Sequence, residues 1–490
     1  MKETGHPPIK HSQVSNSEFS PSPLSRRDFV KGPLCLSLLS TATSCFSMAE
    51  SKGVKGTEKL NPFSPNVDEI SSSLHPDPRF QNLVEDPEGL LRLPSGFKAF
   101  IVDRKGDKME EGLSVPGKGD GMGVFSHQDF AEIDPGTLVL MRNHEITNGD
   151  SFNGPYFGKK PTSNRPHRYN QTLGYGGVSR VVVDAATFKK ISGNMVLEGT
   201  DRNCAGGISP WGWMSCEESM DEGHGYVFLC DPTADRSQAP QKIKGYGRFN
   251  HEAYAVNPNT FVAYLTEDRS DSCFYRFVPH ELGNKNNAFE GKLQALRVVG
   301  THQFDTADFG DSGFASGSGI GRKCEWVDVQ DAGPEEDTIR YEVQKAGASI
   351  FRRGEGLVYH DGSVYFSCTS GGKAGFGQIF RFEEETQTLY LLCESPGSKV
   401  LDYPDNIVIS PAPHHNVFSV EDGSQRARIH AITPTGKIVL FGQNIFSRSE
   451  LCGVTFSPDA KAMFVNFQND GLLVAITGPF DEWQRGLEGL

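Results

Sequence analysis

From about residue 95 to its C-terminus the chain is written in short β-branched or alternating apolar runs, separated by Gly, Pro, Asn and Asp. The runs are Phe97–Val102, Gly136–Met141, Val178–Val183, Gly225–Cys230, Phe261–Leu265, Cys273–Phe277, Leu357–Tyr359, Ser363–Cys368, Gln378–Phe382, Ile407–Ser410, Ile429–Ile432, Ile438–Phe441, Ala462–Phe467 and Leu472–Ile476. Segments this short, bounded by turn formers, predict an all-β architecture. Helical periodicity surfaces only weakly, near Pro279–Leu296. VVVDAAT, FLCDPTA, YAVNPNT and TFSPDAK each run from a strand into an Asp- or Asn-bearing turn, and YHDGSVYFSC and ITPTGKIVLF read as strand-turn units. This loose repetition predicts a β-propeller of six blades, with loop insertions forming a central metal site. A multi-sheet β-sandwich is the rival fold. A propeller gathers loop residues around one channel, so motifs far apart in sequence can converge there.

Residues 50–94 are rich in Ser, Pro, Asn and charge and read as an extended N-terminal segment preceding a propeller domain over 95–490. Residues 1–49 read as a signal peptide. Ser25-Arg26-Arg27-Asp28-Phe29-Val30-Lys31 is a twin-arginine pattern, an apolar stretch runs from Gly32 to Phe46, and Ser47-Met48-Ala49 suits cleavage. The stretch is too short and too rich in Ser and Thr to stay in a bilayer. Export to the periplasm or the exterior follows, with the twin-arginine translocase as partner during export. Ala42-Thr43-Ser44-Cys45 is a poor lipobox, so a lipoprotein is the lesser reading. The net charge of −14 argues against nucleic acid or an anionic membrane as partner. It suits bound cations as well as an ordinary acidic surface. We expect a monomer with no permanent membrane span.

Of ten cysteines, Cys35 and Cys45 fall in the leader. The other eight show no compact disulfide spacing and no CxxC, and several read as small apolar core residues. Cys204 and Cys216 differ in their neighbours. NCAGGISPWG (203–212) is followed almost at once by SCEES (215–219). Carboxylates bind hard cations, and a thiolate binds softer iron or zinc. Acidic or amide residues recur in NHE (143–145), FNHEA (249–253), YLTEDR (264–269), RGEG (353–356) and PDN (404–406). There is no G-x-S-x-G motif and no evident Ser-His-Asp set, which disfavours a serine nucleophile.

NCAGGISPWGWMSCEE, GRFNHEAYAVNP, YLTEDRSDSCFYRF, RRGEGLVYHDGSVYFSCTSGG, GQIFRF, PDNIVISP and SELCGVTFSPDAKAMFVNFQ together resemble the PhoX-type alkaline phosphatases, from about residue 90 to the C-terminus. NHE and GGVSRVVVD fit as well. The resemblance implies a twin-arginine-exported, six-bladed propeller that hydrolyses small phosphate monoesters with a mixed Fe(3+) and Ca(2+) cluster. It makes Cys204 a thiolate ligand to iron. Cys216 reads as core, with Glu217 and Glu218 projecting past a strand end as metal ligands. Glu252, Glu267, Asp268, Glu355 and Asp405 are expected at the metals. So is Glu145, with His144 and His251 orienting the adjacent glutamates. Arg353 and Arg269 are expected to fork onto phosphate oxygens, with Asn143 donating its amide. SPAPHHNVFSVEDG (410–423) departs from the family: Glu421-Asp422 survive, but a Trp-Gly-Gly and a Cys are replaced and His414-His415 are added. That puts substrate range and one calcium site in doubt. Two other readings stand beside the phosphatase: a calcium-dependent propeller lactonase or diesterase, and a non-catalytic exported propeller stapled by metals.

Overall fold

The computed structural model describes residues 82–490, apart from 162–164, 166, 172–173 and 424. The leader, its arginine pair and most of the segment 50–94 lie outside the described residues. Three strands open the described chain: β1 (Leu83–Glu85), β2 (Leu91–Pro94) and β3 (Lys98–Arg104). They join sheets built much later in the sequence. A four-stranded sheet follows, of β4 (Gly119–Phe125), β5 (Thr137–His144), β6 (Gly176–Asp184) and β7 (Lys190–Thr200). The next contains β8 (Asn203–Ser209), β9 (Gly212–Glu217), β10 (Val227–Cys230) and β11 (Gln241–Ile243). Then come β12 (His251–Val256), β13 (Ala263–Glu267), β14 (Tyr275–Pro279), β15 (Gly291–Val298) and β16 (Arg322–Asp328). They are followed by β17 (Gly354–His360), β18 (Ser363–Cys368), β19 (Gln378–Glu383) and β20 (Thr388–Glu394). β21 (Pro404–Ile409), β22 (Val417–Glu421), β23 (Arg428–Ile432) and β24 (Ile438–Asn444) carry β2 and β1 on their outer edge. Finally β25 (Leu451–Phe456), β26 (Ala462–Phe467) and β27 (Leu472–Thr477) are completed by β3, so the two ends of the domain share one sheet.

The fold is an all-β propeller, with every ladder antiparallel between sequence neighbours. The first strands touch in succession, β4 to β8, β12, β17, β21 and β25, and β25 returns to β4. Hydrogen bonding nevertheless groups the strands into five sheets, because β16 bridges β15 and β20. That bridge is thin, with only Arg322↔Leu389 and Lys323↔Thr388 paired.

The first strands share a local design. Each breaks register with its partner near its start: between Gly119 and Met122, Asn203 and Gly206, His251 and Tyr254, Gly354 and Leu357, Pro404 and Ile407, and Cys452 and Thr455. A β-bulge bends the strand and re-aims the side chain beside it. The third residue of these strands is Gly121, Ala205, Ala253, Gly356, Asn406 or Gly453, mostly small for a steric reason. A Cβ on Gly121 would stand 2.5 Å from the Ala205 Cα. Gly453 has φ +62° and a Cβ there would fall on the Asp120 carbonyl, so the ring closes only with glycine at that position.

Apolar side chains fill the spaces between sheets. Phe97 packs edge-on against Phe441 at 5.1 Å and Phe480 at 4.8 Å, tying the entry of β3 to β24 and to a short helix over Phe480–Arg485. Burial of such rings contributes roughly 1.5–3 kcal/mol each. The helical tendency near Pro279–Leu296 is not realised. β14 and β15 occupy its ends, joined through a 3-10 turn at Lys285–Asn287. Asn284 caps that turn and Gly291 pairs with Pro279, and both choices break a helix. Among the described residues the other α-helix spans Ile339–Lys345. Among the described residues, no helix is long and apolar enough to cross a membrane.

Candidate metal centre and active site

The second residue of each first strand is Asp120, Cys204, Glu252, Glu355, Asp405 or Cys452. All six are buried. The bulges turn successive strands of the ring so that these ligand-type side chains gather at one end of it. Polar side chains of the second strands lock the arrangement. Asn143 Nδ2 donates to the carbonyls of Cys204 (3.0 Å) and Ala205 (2.5 Å). Thr266 Oγ1 donates to Glu355 O at 2.6 Å, Ser367 Oγ to Asp405 O at 2.6 Å, and Asn466 Nδ2 to Asp120 O at 2.7 Å. In each case one blade holds the bulge of the next.

Five of the six side chains, all but Cys452, line a polar cavity of about 210 Å³ together with Glu145, Arg202, Glu218, Asp268, Arg353, Asp422, Glu450 and Gln468. Nine carboxylates thus face two guanidiniums and one thiol. Burial and mutual repulsion push the carboxyls of Asp120, Glu252, Glu355 and Asp405 well above the usual range. Burial with Asp268 nearby lifts Glu218 to about 7, and burial with Asp422 lifts Glu450 to about 11. Such a set ionises only when cations lie among its members. Oxygen atoms of Glu252, Glu355 and Asp405 lie within 4.8 Å of one another, as do ligand atoms of Asp120, Asp405 and Cys452. The donors therefore fit hard cations with a thiophilic ion beside them.

Seven residues expected at the metals converge here: Cys204, Glu145, Glu218, Glu252, Asp268, Glu355 and Asp405. Two expected with them do not. Glu217 is fully buried behind the site, accepting from His224 Nδ1 (2.7 Å) and from the backbone N–H groups of Asp201 and Gly225 (3.0 Å each). Glu217 is the last residue of β9 and faces away from the cavity, whereas Glu218, just past the strand end, lines it. Glu267 likewise turns inward, to Tyr275 Oη at 2.9 Å and Arg340 at 3.3 Å.

Arg353 lines the cavity. Its Nε and Nη2 bind the two Asp268 oxygens at 2.8 and 3.1 Å, and Nη2 also reaches Glu355 at 3.0 Å. Asn143 does not reach a substrate: it is fully buried, with its amide spent on the Cys204 bulge and its carbonyl on Trp213 Nε1 at 2.8 Å. Arg269 pairs with Asp337 at 3.0 Å and lines an adjoining polar cavity of about 330 Å³. Arg202 and Glu218 border both cavities. Neither histidine orients a glutamate. His144 binds Gly117 O and Ser179 Oγ, and His251 Nε2 binds Gly247 O.

Sequence reasoning missed Asp120, Arg202, Glu450, Gln468 and Cys452. Gln468 Nε2 donates to Glu145 (2.9 Å) and Asp120 (3.1 Å). Arg202 is paired to Glu218 and Glu145. A signal existed: Asp120, Glu252, Glu355, Asp405, Cys204 and Cys452 each precede a small residue or Asn in the same strand position. In the altered segment 410–423, Asp422 reaches the cavity, whereas Glu421 is clamped by Arg428 and His430. His414 stands apart, between Asp481 and Glu488. All eight described cysteines are free and buried.

A propeller whose ring end carries a buried, cation-seeking acidic cavity with guanidiniums at its wall is a scaffold for a metal-dependent hydrolase of anionic esters. The chain belongs to the alkaline phosphatase PhoX family, whose profile matches residues 78–471. The enzyme is accordingly a phosphatase, and a small phosphate ester is its substrate. Among solved structures it is similar to Pseudomonas fluorescens PhoX in complex with vanadate, a transition state analogue, with TM-score 0.59 and 18% identity over 81% of this chain and 97% of that one. At that identity the likeness speaks for the fold. A gluconolactonase from Xanthomonas campestris aligns at 10% identity and TM-score 0.40, over 81% of this chain and 98% of that one, too distantly to bear on function. No curated protein matches.

Proposed function

We propose that the chain is an exported alkaline phosphatase that hydrolyses phosphate monoesters with iron held at Cys204 and calcium held among the cavity carboxylates. The observation that carries this reading is the excess of nine carboxylates, five of them buried, over two guanidiniums around a single thiol. Cys204, Glu252, Glu355 and Asp405 would hold the thiophilic ion and the ions beside it. Glu145, Glu218, Asp268, Asp422 and Glu450 would supply oxygens to hard cations. When bound, such cations neutralise the carboxylates and act as Lewis acids toward phosphoryl oxygens.

The protein's own groups orient the ester. Asp268 and Glu355 fix Arg353 through Nε and Nη2, so Nη1 is the atom of the fork left for a phosphoryl oxygen. A guanidinium held this rigidly loses little entropy on binding and stabilises charge on the equatorial oxygens as the ester bond breaks. Arg202 lines the same cavity, clamped by Glu145 and Glu218, and also borders the adjoining one. The alcohol portion of the ester lodges there, near Arg269. Elemental analysis of the purified protein combined with hydrolysis of p-nitrophenyl phosphate tests the reading. Iron and calcium with turnover are expected, and a protein without metal, or with metal and no turnover, would refute it.

A further inference from the structure

Cys452 has the same place in the ring as Cys204. Each is the second residue of a first strand, followed by a small residue at a bulge. Around the ring the order is Asp120, Cys204, Glu252, Glu355, Asp405, Cys452, so Asp120 stands between the two cysteines. The Cys452 thiol is fully buried, and its Sγ lies within 4.8 Å of carboxylate oxygens of both Asp120 and Asp405. A buried thiol packed against two carboxylates gains nothing from them as a core group. An independent observation points to a ligand: Asp120 is 5% exposed, and its Oδ1 has no hydrogen-bond partner, while Oδ2 accepts from Gln468. A buried carboxylate oxygen left unmatched is costly unless a cation meets it.

We infer that Cys452, Asp120 and Asp405 form a second thiolate-containing site, which takes a thiophilic transition-metal ion of the iron or zinc class. This rests on the metallophosphatase reading and extends it to a residue of this chain beyond Cys204. One sulfur and two oxygens leave coordination positions open toward the cavity, as a site that meets substrate requires. A site of carboxylates alone in this sector would take calcium or magnesium instead.

X-ray absorption at the iron and zinc edges of the full-length, as-purified protein tests the inference directly. In Cys204→Ala a metal–sulfur distance of about 2.3 Å should persist, and in the double variant Cys204→Ala/Cys452→Ala it should vanish. Cys452→Asp supplies an oxygen at the same place. It should keep a native circular-dichroism spectrum and melting transition while the sulfur coordination number falls relative to wild type. Wild-type protein with metal and phosphatase activity, but with sulfur scattering unchanged in folded Cys452→Asp, would overturn the Cys452 site and leave the metallophosphatase reading intact. Wild-type protein with no metal would overturn both.

Discussion

The side-chain amide of Asn143 donates to the backbone carbonyl of Cys204 at 3.0 Å, from a neighbouring sheet. Asn143 therefore aims a candidate ligand and does not itself touch phosphate. Asn143→Ala would leave the Trp213 indole N–H and two carbonyls short of a partner, costing about 1–3 kcal/mol. Because the Cys204 bulge loses its latch, kcat should drop on the order of 10-fold to 100-fold while KM stays near its wild-type value. Thermal melts and steady-state kinetics check this. A large rise in KM with unchanged kcat would restore Asn143 as a binding group.

Glu217 and Glu218 separate structure from site. Glu217→Gln turns one of the two accepting oxygens into an NH2 donor, so either His224 and the Asp201 N–H or the Gly225 N–H lose their acceptor; it should lower stability by roughly 1–3 kcal/mol and leave bound metal unchanged. Glu218→Gln should do the reverse. It removes a carboxyl already held near 7 by burial and like charge, so the metal-free protein gains stability while calcium binding weakens. Melting curves with and without chelator, alongside metal analysis, distinguish the pair.

Cys204 lines the cavity, whereas Cys216 packs among Met214, Val227 and Tyr246. Cys204→Ser should therefore abolish activity. Cys216→Ser should keep it, at a cost of roughly 1–3 kcal/mol for a buried hydroxyl. Visible absorption from thiolate-bound iron should weaken in the first variant only. An active, undiminished Cys204→Ser protein would remove that residue from the metals.

Strands with alternating or β-branched runs were legible from the chain alone: Ser363–Cys368 and Ala462–Phe467 match their predicted bounds. The first strands were the hard ones. Gly119–Phe125 and Asn203–Ser209 carry glycine, a carboxylate or a thiol where alternation calls for apolar residues, because they line the ring and break register. The same departure hid Asp120 and Cys452, whose place beside Asp405 comes only from the ring. Glu217 and Glu267 misled for a related reason: a carboxylate at a strand end looks alike whether it turns to the cavity or to a buried arginine or histidine.

Glu421 supplies a pH test remote from the cavity. Burial opposes its charge, but Arg428 and His430 outweigh burial and bring its carboxyl down to about 2. The folded chain therefore holds this proton less tightly than the unfolded chain, whose glutamates titrate near 4.5. The stabilisation is complete above about pH 4.5 and is lost as pH falls toward 2. Glu421→Gln strands Arg428 and should cost about 3–5 kcal/mol at neutral pH. Denaturant unfolding from pH 3 to 7 should show the gap between wild type and variant closing as pH falls. A gap of constant size would contradict this assignment.

Removing metal should invert the pH dependence of stability. Glu218 is held near 7, and Asp120, Glu252, Glu355 and Asp405 are all displaced upward. Between about pH 4.5 and 7 the folded, metal-free chain therefore binds more protons than the unfolded one, and its stability falls as pH rises. In the metal-loaded protein cations take the place of those protons. Acidification then sets protons against metal at the same oxygens, and stability falls as pH drops. Melting temperatures at pH 5 and pH 8, before and after a calcium-selective chelator, should cross. The chelated protein should melt higher at pH 5 than at pH 8, and the loaded protein higher at pH 8. Adding calcium back at pH 8 should restore both the melting temperature and activity, since carboxylate-bound hard cations exchange. Parallel curves would mean that the buried carboxylates are matched by hydrogen bonds within the protein, and the cation-seeking character of the cavity would fall with them.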